Sequence, residues 1–241
     1  MNDTRKRRPT LQDIADLTGV TKMTVSRYLR DPSAVAEGTR ERLAAAVAEL
    51  GYIPNRAPDM LSNATSKAIG ILIPSLSNQV FSAVIHGIEA VTRPAGYQTL
   101  LAHYGYSPER EEEQVASLLS YNVDGLILSD TQHTERTRKT IAPAGSPVVE
   151  TMDLPLSPID MVVGMDHRAA ARAMVTEMLR RGRRKVIYLG ARLDVRTQLR
   201  MEGYYQAMAD FGLTGQHLLT EQSSSFTLGG ELLAQAMARF P

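Results

Sequence analysis

Two groups of residues carry side chains that chemistry can use. In the first, Lys22, Met23 and Arg27 follow Thr21, with Thr24 and Ser26 among them. Cations and hydroxyls on one short segment suit a polyanion, because they donate to phosphate oxygens and base edges alike. In the second, Arg192, Arg196 and Arg200 stand four apart, with Asp194 inside the row. On a helix that spacing puts three guanidinium groups on one face. An arginine pair there suits a carboxylate, through charge-assisted hydrogen bonds. A solvated face balanced by Asp194 and Glu202 is the plainer alternative. Catalysis finds no support. His86, His103, His133, His167 and His217 show no metal-ligand spacing, no phosphate-cradling glycine loop follows an apolar run, and there is no cysteine. The expectation is a protein with no cofactor and no metal that is not an enzyme.

The chain that must position these groups has 241 residues, with a formal net charge of +1. It is no polycation overall. Up to Arg30, however, seven cations face three acids, so a basic end precedes a near-neutral body. A solvated arm at Arg5–Arg8 is the alternative reading of that end. The absence of cysteine suits a reducing compartment. The polar start and the lack of a long apolar run argue for a cytoplasmic protein with no membrane partner.

Local signals place the first group. Thr10 can cap a helix beginning at Leu11, with Asp13 three residues on as in a capping box. Gly19 suits a left-handed helix end. Thr21 caps a second helix reaching about Arg30, Asp31-Pro32-Ser33 breaks the pattern, and a third helix covers Glu37 to Leu50. This is a helix-turn-helix unit. Its second helix leads into the major groove, so Lys22, Met23 and Arg27 face base edges and Thr21, Thr24 and Ser26 reach phosphates. Asn55 to Asn63 reads as a linker with one helical turn.

From Ala68 the pattern becomes apolar runs alternating with amphipathic segments. Strands are expected at 69–73, 97–102, 125–128, 148–150, 161–164 and 185–189. Helices are expected at 79–93, 109–120, 134–142, 168–181, 194–211 and 227–239. That alternation predicts a doubly wound α/β core with ligands beyond the carboxyl ends of its strands. There stand Ser75, Asn78, Gln79 and Phe81; then Asp130; then Asp166; then Asp194, Arg196 and Arg200. Hydroxyls, amides and acids suit a polyol, and the arginines suit a carboxylate. A small sugar acid satisfies both.

Thr10-Leu11-Gln12-Asp13-Ile14-Ala15, Gly19-Val20-Thr21, Thr24-Val25-Ser26-Arg27, Thr39-Arg40-Glu41 and Leu50-Gly51-Tyr52-Ile53-Pro54-Asn55 resemble the lactose repressor family. The resemblance implies a small all-α helix-turn-helix head (1–54), a hinge helix or linker (55–66), and an α/β periplasmic-binding-protein-like core. The core's first lobe would be 67–160 and a partial, incomplete second lobe 161–241. It implies a homodimeric repressor that binds double-stranded operator DNA and is released by a small effector. Lys22, Met23 and Arg27 become base readers, and Thr10, Thr21, Thr24, Ser26 and Asn55 join them at the DNA. Leu61 becomes a wedge in the minor groove. In the core, Ser75, Phe81, Asp166 and Arg200 match effector-contacting positions, with Asn78, Gln79, Asp130, Asp194 and Arg196 beside them. Three departures are Ala36 in place of a serine cap, Pro58 in place of an alanine, and His167 in place of an asparagine. Leu61 to Ser66, Ser77 to Phe81, Leu101 to Tyr106 and Glu221 to Ser225 are similar to members that control gluconate genes, which implies gluconate as effector. Family members continue past residue 241, so the resemblance implies a C-terminally truncated chain. A ligand-binding module, or a fragment that cannot release its operator, is the alternative function.

Overall fold

A computed structural model describes residues 7–55 and 65–240. The chain divides between Ala64 and Thr65 into two compact units. Leu61, with its expected wedge role, and the hinge turn lie outside the described residues.

The first unit is built from local capping chemistry. α1 (Leu11–Thr18) starts with a complete capping box. The Thr10 hydroxyl accepts from the Asp13 amide at 3.4 Å, and the Asp13 carboxylate accepts from the Thr10 amide at 2.7 Å. The hydrogen bonds from Thr10 hold the Asp13 carboxyl below its usual range. Gly19 closes α1 at φ 68°, a conformation that favours glycine. α2 (Lys22–Arg30) is capped by Thr21, whose hydroxyl accepts from the Thr24 amide at 3.3 Å. After a 3-10 turn at Pro32–Ala34 comes α3 (Glu37–Leu50), the span expected from the sequence. Ala36 gives α3 no side-chain cap. Ile14, Ala15, Val25, Leu43 and Ala46 form the shared core, with Leu29, Val47 and Leu50 packed on it half-buried. Each large apolar side chain taken fully from water there is worth roughly 1.5–3 kcal/mol. Arg42 links α3 back to α1 by donating to the Thr18 carbonyl at 3.3 Å.

The second unit alternates strands and helices. Its main sheet is parallel, in the order β2-β1-β3-β4-β5. These strands are β1 (Ala68–Ile73), β2 (Gln98–His103), β3 (Gly125–Leu128), β4 (Val148–Asp153) and β5 (Met161–Met165). Between them run α4 (Gln79–Thr92), α5 (Pro108–Ser120) and α6 (Glu135–Ile141). The Ala-Ile-Gly-Ile-Leu-Ile of β1 is apolar on both faces because both are covered. Leu72, Leu126 and Leu128 pack with Val115 and Leu118 in one cluster, and Ile71, Ile73 and Phe81 form another. After α7 (His167–Arg180) a second parallel pair follows, β6 (Ile187–Ala191) and β7 (Gln216–Thr220), with α8 (Val195–Asp210) and α9 (Phe226–Arg239). Val175 and Leu179 of α7 pack against Tyr204, Ala207 and Met208 of α8.

The structure corrects the expected elements in three places. β4 continues to Asp153 instead of stopping at Glu150. β6 begins at Ile187 rather than Lys185, since Arg184 and Lys185 are exposed. β7 has no counterpart among the expected strands: its Gln-His-Leu-Leu-Thr is only half-buried, so it lacks the apolar run that marked the others.

Candidate functional site

In the first unit, α2 splits cleanly by face. Val25 is buried and Tyr28 and Leu29 pack on the core, while Lys22, Met23, Arg27 and Arg30 are exposed. Met23 is 73% exposed, an uncovered apolar side chain on the leading turn. α2 has no acid in its first turn and carries Arg27 and Arg30 in its last. The face presented to solvent is therefore cationic, with one apolar contact. Thr24 and Ser26 sit half-buried at its edge, and the Thr21 and Thr24 hydroxyls are 3.0 Å apart. Thr10 is occupied at the start of α1, where its hydroxyl donates to Asp13. Asn55 lies exposed beyond α3.

In the second unit, the predicted residues lie in the segments that follow the carboxyl ends of the strands. Several serve first as helix caps. Asn78 caps α4 through the Val80 amide at 3.3 Å, Asp166 caps α7 through Ala169 at 2.9 Å, and Asp194 caps α8 through Thr197 at 2.8 Å. Each thereby fixes the loop leaving its strand. Ser75 accepts from the amides of Ser77 and Asn78 at 3.2 and 3.3 Å, and Gln79 is exposed at the head of α4. Phe81, at 2% exposure, packs with Ile71 and Ile73. Asp130 accepts from the Thr131 and Gln132 amides through one oxygen and from the Tyr104 hydroxyl, at 2.9 Å, through the other. Burial and the Asp130 charge push the Tyr104 phenol far up, so it stays a neutral donor.

The arginines form the centre. Arg196 donates from Nε to both oxygens of Asp153, at 2.9 and 2.8 Å, and its Nη2 reaches Asp153 Oδ2 at 2.7 Å. The same Nη2 donates to the Ser129 carbonyl at 2.8 Å. Arg196 stands on α8, while Asp153 and Ser129 end β4 and follow β3. These bonds therefore join the β6–β7 half to the five-stranded sheet. Burial alone would lower the Arg196 pKa, but the Asp153 hydrogen bonds and charge outweigh it and raise it further. Arg200, one turn on, donates from Nε to His167 Nδ1 at 3.1 Å. An arginine only donates, so the His167 proton sits on Nε2. That atom lies 2.8 Å from Asp153 Oδ1 and 3.2 Å from the Met152 carbonyl. A continuous relay results: Arg200, His167, Asp153, Arg196.

The three arginines share a face only if one helix holds them all, and it does not. α8 begins at Val195, so only Arg196 and Arg200 are helical neighbours. Arg192 lies in the loop before α8 at φ 70°, with its guanidinium 3.6 Å from the centre of the Tyr106 ring. Among the described residues, four of the six non-glycine residues at positive φ (Tyr106, Met152, Arg192 and Leu193) sit at these strand ends. Backbone strain of that kind collects where a site is held in place. Sequence reading missed Asp153, Tyr104 and Tyr106. An acid three residues past a buried strand's expected end was the one available signal for Asp153. Gly164 of β5 lets the Asp153 backbone approach, since a Cβ there would fall 2.1 Å from its carbonyl oxygen. A cavity bounded by Arg184, Ile187, Met208, Gln216 and Arg239 opens at the amino ends of β6 and β7, the opposite end from Arg196.

The described residues include no helix long and apolar enough to cross a membrane and no cluster able to hold a metal ion. The profile "Bacterial regulatory proteins, lacI family" matches residues 10–55, and "Periplasmic binding proteins and sugar binding domain of LacI family" matches residues 66–241. The HTH-type transcriptional regulator GntR of Escherichia coli K12 is 57% identical over 98% of this chain and 72% of its own length. A crystal structure of a LacI-family regulator from Silicibacter pomeroyi superposes with a TM-score of 0.85 at 35% identity, over 96% of this chain and 70% of that one. The lac repressor dimer bound to operator and the anti-inducer ONPF superposes with a TM-score of 0.80 at 25% identity, over 97% and 71%.

Proposed function

The chain belongs to the lacI family of bacterial regulatory proteins, and from that premise we propose that it represses genes for uptake and catabolism of a sugar acid. It is a DNA-binding transcriptional regulator and not an enzyme. In this reading it acts in the cytoplasm, holds palindromic operator DNA as a homodimer, and lets go when gluconate or a close relative binds beside α8. Lys22, Met23 and Arg27 read base edges from α2. Thr10, Thr21, Thr24, Ser26 and Asn55 contact the backbone, and Leu61 wedges the minor groove.

The observation that supports the effector class is Arg196 on α8, engaged with a carboxylate and followed one turn later by Arg200. In this reading Ser75, Asn78, Gln79, Phe81, Asp130, Asp166 and Asp194, which follow strand ends of the same unit, supply donors, acceptors and a ring face suited to a polyol chain. Gluconate supplies one carboxylate and five hydroxyls. Binding at the seam between the β6–β7 half and the five-stranded sheet biases their relative setting, a two-state element of the kind that couples an effector to a DNA-binding head. The test is binding of the 241-residue chain to a palindromic operator against a scrambled duplex at matched salt. Preference for the palindrome by at least a thousandfold is expected, the lower end of the usual ratio of specific to non-specific binding of roughly 10³–10⁷. Equal binding to both duplexes would contradict the reading.

A further inference from the structure

A guanidinium assigned to an effector's carboxylate already holds one. Arg196 spends Nε and one hydrogen of Nη2 on Asp153, through three contacts of 2.7–2.9 Å. The fork that would grip a ligand carboxylate is the fork that grips Asp153. Both groups keep some contact with solvent: their side chains are 14% and 12% exposed.

Each partner also has a second anchor. Asp153 accepts from His167 Nε2 at 2.8 Å, and His167 is steadied in turn by Arg200. Arg196 donates to the Ser129 carbonyl at 2.8 Å. Pulling the pair apart therefore leaves neither group in an arbitrary position. Asp153 stays beside His167, and Arg196 stays pointed at the seam.

We propose that Asp153 is an internal stand-in for the effector carboxylate, which displaces it from Arg196 and so replaces a direct link between the two halves by one made through the ligand. This rests on the reading of Arg196 as the effector's anchor. Only an anion returns a counter-charge to Arg196, while displaced Asp153 keeps its hydrogen bond from His167. A neutral polyol entering the same place would separate a part-buried ion pair and return no charge to Arg196, and breaking such a pair on one side is strongly unfavourable. Asp153 thus acts as a filter for sugar acids and against sugars and sugar alcohols, although it need not touch the ligand. It also sets the affinity, because every bound carboxylate must outcompete it.

The test is calorimetric titration of the whole chain with gluconate and with sorbitol, which keeps the carbon chain but has an alcohol in place of the carboxylate. Asp153→Asn keeps an acceptor for His167 while removing the charge that competes for Arg196. It is expected to bind gluconate about tenfold more tightly than the unsubstituted chain, with the exclusion of sorbitol relaxed. Gluconate affinity that is unchanged or lower in Asp153→Asn, with a native melting profile, overturns the exchange: Asp153 would then merely orient Arg196. Asp153→Ser serves if the asparagine variant does not fold, with the same expectation. In the unsubstituted chain, gluconate must bind well ahead of sorbitol, and equal binding also overturns the filter. Absence of gluconate binding there would instead overturn the effector assignment itself.

Discussion

Gly203→Ala sets two effects of opposite sign against each other. Gly203 lies inside α8, and helix propensity favours alanine over glycine by about 0.8–1.0 kcal/mol. The packing says otherwise. A Cβ at 203 would fall 2.1 Å from the Arg168 carbonyl oxygen and 3.0 Å from the Arg172 amide nitrogen, both backbone atoms of α7. Ordinary contact begins at 3.4 Å, and no rotamer change can relieve a clash with backbone. The helices must part, at a cost of about 1–3 kcal/mol or more for overpacking. That parting strains the Arg200–His167 bond of 3.1 Å and the Arg168–Glu202 bond of 2.7 Å. The clash outweighs propensity, so the variant's core should melt roughly 2–8 °C lower and bind gluconate more weakly. Gly230→Ala is the control. That glycine is in α9 with nothing within 4 Å of its Cβ position, so propensity acts alone and the core should gain about 0.5–1 kcal/mol. Differential scanning calorimetry of both variants decides the matter. A Gly203→Ala core as stable as its parent would refute the close crossing of α7 and α8.

Three further outcomes are expected. Ala36→Ser gives α3 the side-chain cap it lacks and should stabilise the head by about 1 kcal/mol, read from its urea midpoint. Arg27→Ala should lose about 1–3 kcal/mol of discrimination on one operator base pair, read by competition with operators altered one position at a time, while Lys22 and Met23 remain in place. The third concerns His133, enclosed between Glu111 Oε1 at 2.7 Å and Glu150 Oε1 at 3.4 Å, with all three side chains buried. Burial disfavours its cation, but the Glu111 hydrogen bond and charge, with the Glu150 charge, outweigh this and raise its pKa above 6.5. The resulting stabilisation is fully present below pH 6.5 and is lost as pH rises through the raised folded value. Nuclear magnetic resonance titration of the imidazole should show it still protonated where an ordinary histidine is neutral; a midpoint at or below 6.5 would contradict the buried pairing.

The head was legible because its signals are local. Thr10 with Asp13, Gly19, and Thr21 with Thr24 each act within four residues, and the structure uses all of them. The apolar runs of β1 and β3 were legible for a different reason: burial on both faces leaves little room for polar residues. The site was legible only in part. Asp166, Asp194 and Asn78 announced themselves at strand ends, yet their capping bonds depend on where each helix starts. Asp153 escaped because its partner Arg196 is 43 positions away, a separation no local pattern carries. The place of Arg192 stayed open for a related reason. Spacing of four implies a shared face only within one helix, and Arg192 falls outside α8, where Tyr106 holds it. β7 escaped because a half-buried strand shows no apolar run.

The central claim is that a sugar acid releases this protein from its operator. Fluorescence anisotropy of a labelled palindromic duplex with the 241-residue chain, titrated with gluconate and then with sorbitol at constant salt, addresses it directly. The account predicts that gluconate lowers the anisotropy to that of free DNA while sorbitol at the same concentration leaves it bound. Operator binding that persists unchanged in saturating gluconate would contradict it.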